Sequence, residues 1–90
     1  MVQLPALSED ASKILRPLRE RAMDGYSLMS RTGLDQQKLY EGIRELVTLD
    51  VVKLKGDLNP EFIGEAYLAV PPTVFGYVDM LLGQPTFKRA

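Results

Sequence analysis

The sequence predicts an α+β domain that is mainly α-helical, and three observations support this prediction. Apolar residues recur at helical spacing in four separate segments. Two stretches between residues 51 and 70 have the pattern of short strands, and glycine or proline separates the segments. The chain has 90 residues, of which 46% are hydrophobic, and a net charge of −1. This composition is sufficient for one domain over residues 1–90.

The composition also excludes several kinds of chemistry. The chain contains no cysteine and no histidine, which rules out disulfides, thiolate or imidazole metal ligands and catalysis by either side chain. No paired carboxylates, phosphate-binding glycine loop or nucleophile–base arrangement stands out, so we expect neither an enzyme nor a bound cofactor or metal. No apolar run approaches the roughly 18 residues of a membrane span, and the first ten residues lack a secretory-signal pattern. We therefore expect a cytoplasmic protein without a membrane partner.

The first helix is predicted over residues 8–24. Ser8 suits its N-cap, two acidic residues follow in the first turn, and an apolar stripe continues to the end of the segment. Pro17 predicts a kink, with a split into two shorter helices as the alternative, and Gly25 is expected to end the helix. Basic and acidic residues balance on the exposed side, which favours a solvated face over a binding surface.

Two further helices are predicted over residues 27–33 and 35–50, with Ser27 and Asp35 as their N-caps. Gly33 lies between them, where a left-handed residue lets the chain turn sharply into the next helix. The longer helix places its apolar residues on one face, which must pack on the preceding helices and leaves the opposite face free. Gly42 within it indicates close approach of another helix or, as the alternative, of DNA.

A β-hairpin is predicted over residues 51–70. The run VVKLK alternates apolar and basic residues, and EAYLAV supplies the second strand. The intervening segment GDLNPEFIG is too long for a two-residue turn and contains Asn59 and Pro60, which favour a loop. The loop is acidic, and its Phe62 and Ile63 either tuck back onto the domain or face a protein partner.

A C-terminal helix is predicted over residues 72–83. Two prolines precede a run of apolar residues at helical spacing. The helix either covers the core of its own domain or pairs with a copy of itself. Tyr77 and Met80 add apolar surface beyond a single stripe, and both roles remain open.

The run LMSRTGLDQQKLYEGIRELVTLDVV resembles the helix-turn-helix of winged-helix transcriptional regulators, in the broad group that includes the multiple-antibiotic-resistance and arsenical-resistance repressor families. The matching features are Gly33 and Leu34 at the turn, the apolar positions of the second helix, and two valines that open the strand. The resemblance implies a winged helix-turn-helix with a three-helix core, a small antiparallel β-wing, a short first strand in DGYSL, and residues 35–50 as the recognition helix. Asp50 replaces a glycine at the strand entry, and aspartate tolerates the left-handed conformation there.

This resemblance implies a small DNA-binding transcriptional regulator whose recognition helix enters the major groove. Glutamine can read adenine, arginine can bind guanine or phosphate, and lysine and tyrosine can bind phosphate. The residues expected to contact double-stranded DNA are Gln36, Gln37, Lys38, Tyr40, Arg44, Lys53 and Lys55. A homodimer through the C-terminal helix would raise the affinity. The near-neutral charge and the acidic loop leave a second interpretation open, a winged-helix protein–protein interaction module without DNA binding.

Overall fold

A computed structural model describes residues 4–88, so residues 1–3 and 89–90 of the predicted domain lie outside the described part of the chain. The elements, in chain order, are α1 (Glu9–Glu20), β1 (Met23–Asp24), α2 (Gly25–Thr32), α3 (Gln36–Thr48), β2 (Lys53–Lys55), β3 (Tyr67–Ala69) and α4 (Phe75–Leu82). Single 3-10 turns lie at Ile63–Glu65 and Pro72–Val74. The fold is α+β and mainly helical, as the sequence predicts.

The three strands form one antiparallel sheet in the order β1-β3-β2. Leu68 in the central strand pairs with Met23 on one side and with Leu54 on the other. Leu68 and Met23 are buried, whereas the neighbouring Tyr67 is exposed, so one face of the sheet packs on the helices and the other meets solvent. Both strands of the predicted hairpin are present, but each has only three residues.

Helix α1 lies at the centre of the helical layer and packs against α2, α3 and α4. Helix α1 approaches α3 closely at Gly42, where a Cβ atom would overlap the Cδ1 atom of Ile14. The prediction that Gly42 serves close helix packing is therefore confirmed. The buried core contains, among others, Leu15 and Leu18 of α1, Leu28 of α2, Leu39, Ile43 and Leu46 of α3, Leu68 of β3, and Val78 and Leu81 of α4.

The predicted course of the first helix is wrong at its end. Helix α1 continues through Pro17 without splitting, but it ends at Glu20 instead of residue 24. Arg21 is already extended, with φ −164° and ψ 156°, because the chain must reach β1, and its N–H donates to the carbonyl of Pro17. Gly25 does not end this helix; it is the first residue of α2.

The start of α2 also differs from the prediction. Asp24 occupies the N-cap position that was predicted for Ser27, and the strand predicted within DGYSL lies earlier, at Met23–Asp24. The Ser27 hydroxyl donates to the Asp24 carboxylate at 2.6 Å, and this hydrogen bond lowers the pKa of Asp24 below its ordinary value. The earlier start of α2 has a tertiary cause. The N–H of Gly25 donates to the Ala66 carbonyl at 2.9 Å, and this bond ties the start of α2 to the segment just before β3.

The turn between α2 and α3 follows the prediction closely. Gly33 is left-handed, with φ 74° and ψ 8°, and ends α2. Asp35 is the N-cap of α3, and its carboxylate accepts the N–H of Lys38 at 2.8 Å. Asp50 adopts a positive φ of 60° just beyond α3, as expected of the residue that turns the chain into β2. Helix α3 is shorter than the predicted 35–50, because Asp35 caps it and Leu49 closes it.

Helix α4 covers the core of its own domain. Val78 and Leu81 are fully buried, and a 3-10 turn over Pro72–Val74 precedes the helix, which therefore begins at Phe75 and not at residue 72. Arg19 of α1 binds the Asp79 carboxylate through two nitrogens, at 2.9 and 3.2 Å. These hydrogen bonds raise the pKa of Arg19, whose guanidinium also lies 3.9 Å from the centroid of the Phe75 ring.

Candidate nucleic-acid interface on α3 and β2

The outer face of α3 is polar but mixed in charge. Gln37, Glu41, Arg44 and Thr48 lie along this face at helical spacing, opposite the buried side of the helix. Gln37 and Arg44 are exposed, and the Gln37 side-chain amide lies 3.5 Å from a Glu41 carboxylate oxygen, to which it donates. The face therefore offers an amide and a guanidinium to a partner, with a carboxylate between them.

The other α3 residues predicted to contact DNA lie on the flanks of this face. Gln36 is exposed, but its amide donates to the carbonyl of Pro60 in the hairpin loop. Lys38 is exposed on the opposite flank. Tyr40 is half-buried and packs partly against the core. Of these residues, Lys38 is the one whose side chain extends into solvent as the prediction requires.

The two lysines of β2 lie on a separate element. Lys53 and Lys55 are both exposed, and they flank the half-buried Leu54. β2 is an edge strand of the sheet, and Lys55 is paired with Tyr67 of the central strand. The lysines and the outer face of α3 thus lie on different elements, and a ligand would have to contact both.

The hairpin loop, residues 56–66, folds back onto α2. Ile63 is fully buried and packs onto the domain, whereas Phe62 remains exposed and available to a partner. Each of the two predicted alternatives therefore applies to one of these residues. The loop carries the exposed carboxylates of Asp57, Glu61 and Glu65. Because the loop also holds Gln36, it brings negative charge near the first turn of α3.

The two ends of the described chain meet beside the C-terminal half of α3, a feature that sequence reasoning missed. Phe87 and Leu7 are joined by a backbone hydrogen bond of 3.0 Å, and the Glu9 N–H donates to the Phe87 carbonyl at 2.8 Å. The Ser8 N–H donates to a Glu45 carboxylate oxygen at 2.9 Å, which ties this pair of segments to α3. Contacts between residues about 80 positions apart leave no periodic signal in the sequence.

A shallow cleft of about 420 Å³ lies between these segments and α3. It is lined by Pro5, Ala6, Glu41, Arg44, Glu45, Thr48, Leu49 and Phe87. The Arg44 guanidinium therefore shares its surroundings with two carboxylates, which weakens the positive potential that the guanidinium can present.

Residues 4–88 contain neither a cluster of metal ligands nor a membrane-spanning helix. No three acidic side chains of this region converge in a way that could hold a metal ion. No helix among the described residues is long and apolar enough to cross a membrane.

The structure brings the predicted site residues together only in part. Gln37 and Arg44 share one face of α3, Lys38 borders that face, and the β2 lysines stand apart on the sheet. Gln36 and Tyr40 are partly engaged within the protein. Comparison of the chain with protein-family models, with curated proteins and with solved structures gave no match.

Proposed function

We propose that this protein is a winged-helix DNA-binding transcriptional regulator in which α3 is the recognition helix. The element order α1-β1-α2-α3-β2-β3, with the sheet order β1-β3-β2, is the observation that carries the proposal. The sharp α2–α3 turn at the left-handed Gly33 supports it, because such a turn sets two helices across one another as in a helix-turn-helix.

The exposed side chains divide into two proposed roles. Gln37 lies in the first turn of α3, where residues of a recognition helix meet base edges. Arg44, Lys38 and the β2 lysines supply positive charge for phosphate oxygens. Gln36 would have to release the Pro60 carbonyl before it could reach a base, so Gln37 is the stronger candidate for base recognition.

We extend the proposal to a homodimer through α4. This helix already buries Val78 and Leu81 in its own domain, yet Tyr77 and Met80 remain 36% and 57% exposed. A Cβ atom at Gly76 would meet nothing within 4 Å, so packing within the chain does not require glycine there. Met80→Lys should halve the mass measured by light scattering if α4 pairs with its copy, and a wild type that is monomeric at high concentration would remove the dimer.

DNA binding is tested by titrating a pool of random duplexes, and a site selected from that pool, at two salt concentrations. Arg44→Ala should weaken binding to every sequence and lower the salt slope by about one, because one fewer counterion is released. Gln37→Ala should cost about 1 to 3 kcal/mol on the selected site only, with the slope unchanged. Lys53→Ala should behave like Arg44→Ala. Lys13→Ala removes an exposed cation of α1 outside the proposed interface, and it is the matched control.

Two outcomes would contradict the proposal. The wild type would fail to shift duplex DNA at low salt, or Arg44→Ala would reduce binding no more than Lys13→Ala. In either case the polar face of α3 does not lie in a groove.

A second candidate function is a winged-helix protein–protein interaction module that does not bind DNA. The contact of Gln36 with the Pro60 carbonyl favours it, because it holds a loop with three exposed carboxylates against the first turn of α3, and the loop residue next to Pro60 is Glu61. The same titration at low salt separates the two candidates.

A further inference from the structure

Three large apolar side chains are exposed on the hairpin loop and on the first turn of α2, two on the loop and one on the helix. Tyr26 is 59% exposed, Phe62 46% and Leu58 36%. We call this region the loop–α2 surface, and it also includes the carboxylates of Asp57, Glu61 and Glu65. Grouped exposed apolar side chains with a polar rim are typical of protein–protein contact sites.

The position of the Tyr26 ring depends on close backbone contacts at two glycines, Gly64 beneath the ring and Gly25 at the start of α2. A Cβ atom at Gly64 would lie 2.6 Å from Cε1 and 2.8 Å from Cζ of Tyr26, so the ring can lie against the loop backbone only because Gly64 has no side chain. Gly25 packs equally closely on the carbonyl of Ile63, which brings the start of α2 onto the loop. The ring is thus supported on one side and open to solvent on the other.

The loop itself is ordered by backbone hydrogen bonds around Phe62. The Phe62 N–H donates to the Asn59 carbonyl at 3.0 Å, and the Glu65 N–H donates to the Phe62 carbonyl at 3.0 Å. The Asn59 side chain accepts the N–H of Glu61 at 2.9 Å. Because the loop is already ordered, a partner would lose less of its binding energy to fixing these side chains.

Charge decides which partner suits the surface. Asp57, Glu61 and Glu65 form no ion pair with any residue between 4 and 88, and Lys55 is the nearest basic residue along the chain. Phosphate groups would be repelled here, and a second copy using the same surface would bring like charges together. A positively charged partner would gain both charge attraction and contact with the aromatic rings.

We infer that the loop–α2 surface docks a basic segment of a partner protein, in which arginine or lysine side chains lie over Tyr26 and Phe62 beside the loop carboxylates. This surface borders α3 at the contact between Gln36 and Pro60, but it does not include the outer face of that helix. The inference therefore holds whether or not α3 binds DNA.

The test uses a fluorescein-labelled peptide of twelve residues, with four arginines and two leucines in a glycine–serine background, titrated with the full chain. A matched peptide carries four glutamates in place of the arginines. Wild type should bind the arginine peptide and not the glutamate peptide. Tyr26→Ser should weaken binding about tenfold or more. The double variant Glu61→Gln, Glu65→Gln should weaken it about threefold to tenfold at low salt, and this difference should narrow as salt rises.

Phe87→Ser is the control, because it removes an aromatic ring that is as exposed as Phe62, at 46%, but lies beside the C-terminal half of α3. It should change binding less than about twofold. Phe62→Ser tests the same surface without touching the ring that packs on Gly64, so a folding defect in Tyr26→Ser cannot hide the result. Amide shifts of the wild type on adding peptide should fall in residues 25–28 and 58–66. The inference is overturned if millimolar arginine peptide does not bind, if the glutamate peptide binds equally well, if Phe62→Ser and Phe87→Ser have equal effects, or if the shifts fall on the outer face of α3.

Discussion

Replacing Gly42 by alanine tests whether the approach of α1 to α3 is set by a single pair of atoms. The added methyl group would overlap Cδ1 of Ile14, whereas the next nearest atoms, the amide nitrogen of Ala11 and the carbonyl carbon of Asp10, are both at 3.6 Å. The overlap is therefore confined to one terminal methyl group of one side chain. Ile14→Val removes that methyl group and leaves the rest of the contact in place.

Two opposing effects set the change in the free energy of unfolding that Gly42→Ala should cause. Alanine in a helix interior is about 1 kcal/mol better than glycine, whereas overpacking a core typically costs about 1 to 3 kcal/mol. Gly42→Ala alone should therefore destabilise the protein by about 0 to 2 kcal/mol. Ile14→Val alone should cost about 0.5 to 1.5 kcal/mol. In the valine background the overlap is gone, so Gly42→Ala should be neutral or stabilising by about 1 kcal/mol, giving a coupling energy of about 1 to 3 kcal/mol.

The assay is urea unfolding of the wild type, the two single variants and the double variant. The unfolding midpoints can be compared if the dependence of the free energy of unfolding on urea concentration is the same in all four proteins. Gly76→Ala is the control, because a Cβ atom there meets nothing within 4 Å, and it should stabilise the protein by up to about 1 kcal/mol. Additive effects of Gly42→Ala and Ile14→Val would refute the reasoning. Stabilisation by Gly42→Ala alone would refute it as well.

Three further predictions concern stability. Ile43 is fully buried and Gln37 exposed, so Ile43→Ala should cost about 2 to 5 kcal/mol in urea unfolding and Gln37→Ala under about 0.5; equal costs would mean that the wrong face of α3 is buried. Arg19→Lys loses the two-point contact with Asp79, and because this ion pair is exposed, the variant should lower the thermal midpoint by less than Ile43→Ala does. The loss should shrink in high salt, and a salt-independent loss would contradict this account. Because folding lowers the pKa of Asp24, its ionised carboxylate stabilises the protein at pH values above its pKa in the unfolded chain, and this stability is lost as the pH falls through its pKa in the folded protein. Asp24→Asn should therefore make the free energy of unfolding depend less on pH below about pH 4. An unchanged pH dependence in that range would count against the prediction.

The sequence was sufficient wherever a feature depended on neighbouring residues. The left-handed Gly33, the Asp35 cap and the positive φ of Asp50 follow from conformational preferences that act within a few positions. The buried face of α3 follows from its apolar period, which fixes which side chains share a side of a helix. For the same reason Gln37 and Arg44 could be placed on one exposed face before any contact was known.

Other features of the candidate site depended on contacts between distant segments. Helix α1 ends at Glu20 because the chain must pair with β3, nearly 50 residues later, and no residue near position 20 encodes that requirement. The bond from Gln36 to the hairpin loop arises in the same way. The carboxylates of Glu41 and Glu45 beside Arg44 belong to α3 itself and are a local feature.

The sequence by itself thus determined the number and type of the helices, the turn at Gly33 and the apolar faces, because these are set by local dihedral preferences and side-chain period. Only the tertiary structure decided which polar residues remain available to a partner. Availability depends on where the loop and the chain ends fold back, and those positions are fixed by the packing of residues such as Ile63 and Leu7 into a shared core. The packing energy arises from contacts between side chains that are distant in sequence, so it cannot be inferred from any single segment of the chain.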